Sequence, residues 1–327
     1  MKNENNILLD KYYQYKQKTL EKSKLFTTKY NDFYKTLGEN EKEALNRYKT
    51  IYYWDINMFL YNREEFYKSI DFNLVDVLND IYKNKNEEKL SLETIKKDIF
   101  KKSIVLYEGI VSSIETIDKI FLKAPKINQK IIVYRGMELN EKNTYHKNFI
   151  SKLHNLKVGE NFVFDNYFST SFDLNVSFGF SGSKFTNKKQ NMCCLLKINI
   201  PKNAKLLYMD TEHVGFKSHS TKNSVSIWSE YEFLLPRSSL LKYKGKYETT
   251  GRIPYYAPKN FSEKKYHISS LDVLEFDFVG IDKNREVIND EKKIDLFKNI
   301  PYFPFKYQKY SFEKLIDKMN THKKKKL

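Results

Sequence analysis

The chain has 327 residues, with 58 Lys and Arg against 41 Asp and Glu, a formal net charge of +17, and 40% hydrophobic and 16% aromatic content. That balance excludes a disordered chain, and no run approaches the roughly 18 apolar residues of a membrane span. The N-terminus, MKNENNILLDKYYQYK, holds no uninterrupted apolar stretch of the kind a secretory signal uses.

Residues 1–37 are Lys- and Tyr-rich, with helical spacing at Leu9, Tyr12, Tyr13 and Leu20, and Gly38 breaks them. Residues 40–70 predict a second helical segment with Leu45, Tyr52, Ile56, Phe59 and Leu60 on its apolar face. A third helical stretch, 91–123, has Ser91 as N-cap and Glu93 in its first turn, and Pro125 ends it. Then the period changes. Ile131 to Arg135, Phe162 to Phe164, Cys193 to Ile200, Glu230 to Leu235 and Leu271 to Val279 predict strands. A short amphipathic helix is expected at 311–319. Helices first and strands later argue α+β rather than an alternating parallel fold.

Cys193 and Cys194 are neighbours whose side chains point to opposite faces of a strand, so they build no disulfide framework. The chain reads as a protein of a reducing cytoplasm, or one delivered into a host cytoplasm without a classical signal. Its charge attracts polyanions: nucleic acid, an anionic membrane surface, an acidic protein face or a phosphate-bearing cofactor. Residues 301–327 concentrate eight lysines against Glu313 and Asp317. No zinc-finger or RRM pattern is present, nor a P-loop, HExxH or CxxC. The six histidines show no metal-ligand spacing, so no metal is expected.

Three segments stand out: IIVYRGM, with Arg135 and Gly136; YFSTSFD, with Ser169, Thr170 and Ser171; and SEYEFLLPRSS, with Glu230 and Glu232. Strand alternation puts the two glutamates on one face, about 7 Å apart, with Tyr231 and Phe233 facing a core. One acid then suits stabilising a developing positive charge, the other a nucleophile's proton. Singly, a strand arginine is usually a surface or ion-paired residue, STS is common turn material and ExE is usually a solvated face.

Together and in this order, the segments resemble the arginine–serine–glutamate class of mono-ADP-ribosyltransferases, closest to exoenzyme-type bacterial toxins such as the enzymatic components of clostridial binary toxins. Val158-Gly159 upstream of STS, Phe180 eleven residues after Ser169, and Tyr48, Tyr53 and Asn57 in YKTIYYWDIN match lesser features of that family. The resemblance implies a split β-sandwich core with preceding helices. It divides the chain into an N-terminal helical arm (1–39), a catalytic domain (40–282) and a basic C-terminal extension (283–327).

The resemblance also implies the chemistry. NAD is the substrate, and the bond broken joins nicotinamide to C1 of a ribose through an oxocarbenium-like transition state. Arg135 offers a fork for a phosphate, Ser169 locks Arg135 or Glu232, Glu232 favours the cation and Glu230 serves the attacking guanidine. Gly136, Thr170, Ser171, Phe180, Tyr53 and Asn57 complete the NAD-binding set. The ExE form implies an arginine of a target protein as acceptor. In place of the basic residue that many relatives carry after the nicotinamide-side aromatic, this chain has Ser181 and Gly182, with Lys184 the nearest cation. Residues 217–229, with Ile227 and Trp228, are expected to form the loop that meets the target. Two other readings share the fold: a non-catalytic basic binding module, and transfer to a nucleic-acid base.

Overall fold

Among the described residues, four helices come first along the chain, and the strands follow with two short helices between them. A computed structural model describes residues 4–61, 66, 92–140, 144–180, 191–210, 230–252, 267–285 and 288. The elements are α1 (Glu4–Lys35), α2 (Glu39–Arg47), a π-helical turn (Tyr48–Tyr52), α3 (Tyr53–Tyr61), α4 (Leu92–Lys123), β1 (Ile131–Asn140), α5 (Thr144–His154), β2 (Asn161–Phe164), β3 (Phe168–Ser171), α6 (Leu174–Phe180), β4 (Asn191–Ile200), β5 (Leu207–Tyr208), β6 (Glu232–Leu235), β7 (Ser239–Arg252) and β8 (His267–Ile281). Ser91, the 217–229 loop and the 311–319 helix lie outside the described residues. Among the described residues, no helix is long and apolar enough to cross a membrane.

The chain divides into two units, residues 1–51 with 116–286, and residues 52–115 with 287–327. In the second, α3 buries Ile56, Met58 and Phe59, and the Phe59 ring meets Phe66 edge-on with 5.4 Å between centroids. The continuous helix expected over 40–70 is interrupted by the π turn, which inserts a wider i→i+5 loop between α2 and α3.

The first unit carries an eight-stranded sheet in the order β2-β7-β8-β4-β1-β3-β6-β5. β4 and β8 run parallel, and every other neighbouring pair is antiparallel. The sheet nearly parts in one place. β1 and β4 are in register from Ile131↔Ile200 to Asn140↔Asn191, whereas β1 and β3 share only Tyr134↔Ser171. That seam separates β2-β7-β8-β4-β1 from β3-β6-β5, and the expected arginine and serine segments lie on either side of it.

α1 covers the second ladder. Ser23, Phe26, Thr27, Tyr30 and Tyr34 recur at three- and four-residue steps, so they share one face. Phe26 and Tyr30 pack on Tyr208 and Phe233, with ring centroids 4.9–6.3 Å apart. Tyr30 Oη donates to Leu206 O at 2.7 Å and Tyr34 Oη to Tyr208 O at 3.1 Å, so the buried hydroxyls satisfy carbonyls at the sheet's short edge strand. Leu20, expected on the apolar face, is 46% exposed because the buried stripe runs through the tyrosines instead.

The turn after β6 is fixed from below. Asp118, in the last turns of α4, accepts from Arg237 Nε (2.9 Å) and Nη2 (2.6 Å) and from Tyr167 Oη (2.9 Å). Arg237 and Tyr167 are buried. This network ties α4 to both the entry of β3 and the exit of β6. Removing one member of a buried ion pair leaves the other charge uncompensated. Asp118→Ala is therefore expected to cost about 3 kcal/mol in urea unfolding, and a loss within about 0.5 kcal/mol would contradict the role given to the network.

Candidate active site

The expected strand over Glu230 to Leu235 begins only at Glu232. Tyr231 has φ +47°, in the left-handed region that a bulky residue rarely adopts, at a cost of about 1–3 kcal/mol. Its N–H donates to the Asp210 carboxylate, and its carbonyl accepts from Phe172 N at 3.3 Å. Strand alternation is thus not what sets Glu230 beside Glu232: a left-handed residue held by Asp210 does. Tyr231 and Phe233 are both buried, as expected.

Both carboxylates meet one cation. Lys49 Nζ hydrogen-bonds Glu232 Oε2, lies 2.6 Å from Glu230 Oε2 and 3.9 Å from Asp210 Oδ1. The side chains of Lys49 and Glu232 are 6% and 7% exposed, while that of Glu230 is 38% exposed. Burial alone lowers a lysine's proton affinity, but Glu232, Glu230 and Asp210 outweigh it and hold the Lys49 pKa above the ordinary lysine value. The Tyr34 hydroxyl is pushed well up by burial, then by Tyr30 and the charge of Glu232.

Across the ladder, Ser171 pairs with Glu232 and Ser169 with Leu234, so Ser169 and Glu232 share a face as diagonal neighbours. Ser169 Oγ lies 3.5 Å from Tyr48 Oη. Thr170 is buried and its hydroxyl donates to Phe233 O at 2.8 Å, which ties β3 to β6. Ser171 Oγ accepts from Asp173 N at 3.0 Å at the start of α6. Arg135 projects from β1 at the seam. Its Nη1 donates to Ser169 O at 2.8 Å, and its guanidinium carbon sits 4.4 Å from the Phe168 ring centroid. Gly136 is buried on β1 opposite Leu195.

Glu230 and Glu232 therefore meet at Lys49, Ser169 is a diagonal neighbour of Glu232 on the ladder, and Arg135 reaches that ladder across the seam through Ser169 O. Phe180 ends α6 with its ring 60% exposed rather than in a core. Tyr53 (51% exposed) and Asn57 (half-buried) lie four residues apart on α3 in the second unit. Ser181, Gly182 and Lys184 fall outside the described residues. Gly159, at φ +95°, turns the chain into β2, and its N–H donates to Tyr243 O at 2.8 Å.

Lys49 and Asp210 were not legible as site residues. Lys49 stands one residue after Tyr48 in a segment that reads as ordinary helix, and only the π turn aims both toward the ladder. A half-buried guanidinium at a seam suits a phosphate, and a buried carboxylate beside a more exposed one suits a transient cation and the group that attacks it.

A family model described as ADP-ribosyltransferase exoenzyme matches residues 22–268. No curated protein sequence matches the chain. Among solved structures, ADP-ribosyltransferase Vis of Vibrio splendidus, bound to an inhibitor, is similar at 17% identity and TM-score 0.45 over 84% of this chain and 86% of that one. Plx2a, an ADP-ribosyltransferase toxin of Paenibacillus larvae, is similar at 20% identity and TM-score 0.40 over 80% and 96%. An ADP-ribosyltransferase of Clostridium botulinum is similar at 16% identity and TM-score 0.37 over 80% and 94%.

Proposed function

The chain belongs to the ADP-ribosyltransferase exoenzyme family, NAD-dependent mono-ADP-ribosyltransferases, and on that premise we propose that it transfers ADP-ribose to an arginine of a target protein. The bond between the nicotinamide nitrogen and ribose C1 breaks, and its electron pair leaves with the ring. A guanidine nitrogen then bonds to C1 and gives up one proton.

On this reading each residue has a task. Arg135 steers a phosphate, with one nitrogen already committed to Ser169 O. Ser169 keeps its hydroxyl on the face of Glu232. Glu232, buried and paired with Lys49, stabilises the positive charge on the ribose. Glu230 receives the acceptor and takes its proton. The observation that carries the arginine acceptor is that Glu230 already binds a nitrogen cation, at 2.6 Å, while over a third of its side chain faces solvent. The buried free thiol of Cys194 fits action in a reducing cytoplasm.

Lysine keeps the charge of Arg135 but not its fork. Arg135→Lys is expected to weaken NAD binding by on the order of tenfold, the loss of one charge-assisted hydrogen bond, with an unchanged circular dichroism spectrum. Equal affinity by calorimetry would remove Arg135 from the phosphate. The function itself is tested by incubating the protein with adenylate-labelled NAD and a cell lysate. Label in protein supports the reading. Label in nucleic acid would move the acceptor to a base, and no nicotinamide release would leave a binding module.

A further inference from the structure

We infer that Lys49 is a positioning residue of the glutamate pair: hydrogen-bonded to both Glu230 and Glu232, its ammonium offsets their mutual repulsion and holds the two side chains side by side. The inference rests on the reading that these glutamates act on NAD and its acceptor.

The backbone that carries Lys49 is unusual and pinned. π-helical turns are rare and concentrate at functional sites. In this one, Tyr48 is fully buried, meets the Tyr167 ring edge-on at 5.5 Å and reaches Ser169 Oγ at 3.5 Å. Tyr167 is itself held by Asp118 at 2.9 Å. The residue next to Tyr48 therefore starts from a fixed point, and its side chain is 6% exposed.

The chemistry of the cluster asks for a cation there. An ammonium has three donors, and three carboxylates surround this one: Glu230, Glu232 and Asp210. Carboxylates crowded together repel, and without a counter-charge the repulsion favours a proton on one of them. Either outcome is harmful. A neutral Glu232 loses its attraction for a ribose cation, and a neutral Glu230 cannot take a proton from a guanidinium. Other titratable side chains near the cluster, among the described residues, are Tyr34 from α1, Tyr208 from β5 and Tyr231, with the buried Asp173 carboxylate beside Tyr231. Burial raises the three tyrosines above the ordinary value, so they stay neutral, and Lys49 is the cation in direct contact with both glutamates. The contact also leaves Glu230 accessible. Lys49 is buried, Glu230 is 38% exposed, and the bonds from Lys49 go to the Oε2 atoms of both glutamates.

The test is the pH dependence of nicotinamide release from NAD in the absence of acceptor, for the wild-type protein, Lys49→Met and Lys49→Arg. Methionine keeps the stem and removes the charge. Lys49→Met is expected to lower kcat by about 10- to 100-fold at neutral pH, with KM for NAD changed less than about threefold. Its acid limb is expected to move up by about one pH unit, so the deficit shrinks as pH rises. Lys49→Arg is expected to return the limb to its wild-type place. A Lys49→Met profile that superimposes on the wild-type one after scaling, or a loss confined to KM, would overturn the role. If Lys49→Met does not fold, Lys49→Met combined with Glu230→Gln removes a charge of each sign. That protein is expected to fold and to share the acid limb of Glu230→Gln alone; a limb displaced as far as predicted for Lys49→Met would overturn the inference, and so would a failure to fold. Because no acceptor is present, a wild-type enzyme that releases nicotinamide yet modifies no arginine would sink the acceptor reading and leave this result standing.

Discussion

Glu232→Gln is expected to lower nicotinamide release and ADP-ribose transfer together, by on the order of 10²- to 10³-fold, the cost of removing one preorganised electrostatic group. The substitution keeps the shape and removes the charge. The surroundings hold the side chain where it is: β6 pairs with β3 through Ser171↔Glu232, the Glu232 carbonyl accepts from Met209 N at 2.9 Å, and the residue is 5% exposed. A charge in so dry a place acts on a developing cation with little screening by solvent, and its Lys49 partner is shared with Glu230 and Asp210. Both reactions pass through that cation, so both should fall by similar factors. Near-normal turnover in the variant would remove Glu232 from the mechanism.

Glu230→Gln should behave differently. Glu230 sits on the other side of a left-handed tyrosine and is 38% exposed at the side chain, so it faces what arrives from solvent. Water needs little help to intercept an oxocarbenium ion. A guanidinium, with a pKa above about 12, offers no free lone pair until it is oriented and partly deprotonated. The variant is expected to lose at least about tenfold more in transfer to arginine than in NAD hydrolysis. Nicotinamide release without acceptor and label incorporation with an arginine-bearing acceptor, measured on one preparation, give the ratio. Equal losses would mean that Glu230 serves NAD binding or the strand, and the arginine reading would lose its main support.

Local patterns carried much of the architecture. The β-branched run at Ile131 to Val133, the apolar run closed by Pro201 and the helix stopped before Pro125 all form the elements their residues predict. β7 escaped notice because its inward residues, Leu241 and Tyr243, alternate with Lys242, Lys244 and Lys246, and its ladder is bulged at Gly245. α5 escaped because Phe149 and Leu153 are its buried pair within a short, Lys- and His-rich segment. In α1 the helix was legible and its face was not. Buried tyrosines need hydroxyl acceptors, and those come from carbonyls at Leu206 and Tyr208, over 170 residues away.

The site divides along the same line. Arg135 and Glu232 lie on strands that local sequence marks, whereas Ser169 lies on β3, whose STS segment reads locally as turn material; the three stand in an order that resembles a family. The geometry between the glutamates was not legible, because it depends on partners brought in by the fold. Tyr231 takes a left-handed backbone only because Asp210, in a different segment, accepts its N–H. Lys49 reaches both carboxylates only because five residues around it wind as a π turn. Neither contact has a sequence spacing that announces it.

The central claim is that this chain moves ADP-ribose from NAD to arginine by means of two unlike glutamates. The most direct measurement is to modify a target proteome with wild-type enzyme, Glu230→Gln and Glu232→Gln, and to locate the adduct by peptide fragmentation mass spectrometry. The account predicts single ADP-ribose groups on arginine side chains with the wild-type enzyme. It predicts almost none with Glu230→Gln despite continued nicotinamide release, and both product and release lowered by on the order of 10²- to 10³-fold with Glu232→Gln. Adducts on asparagine, cysteine, serine or a nucleic-acid base, or arginine adducts that persist in Glu230→Gln, would contradict it.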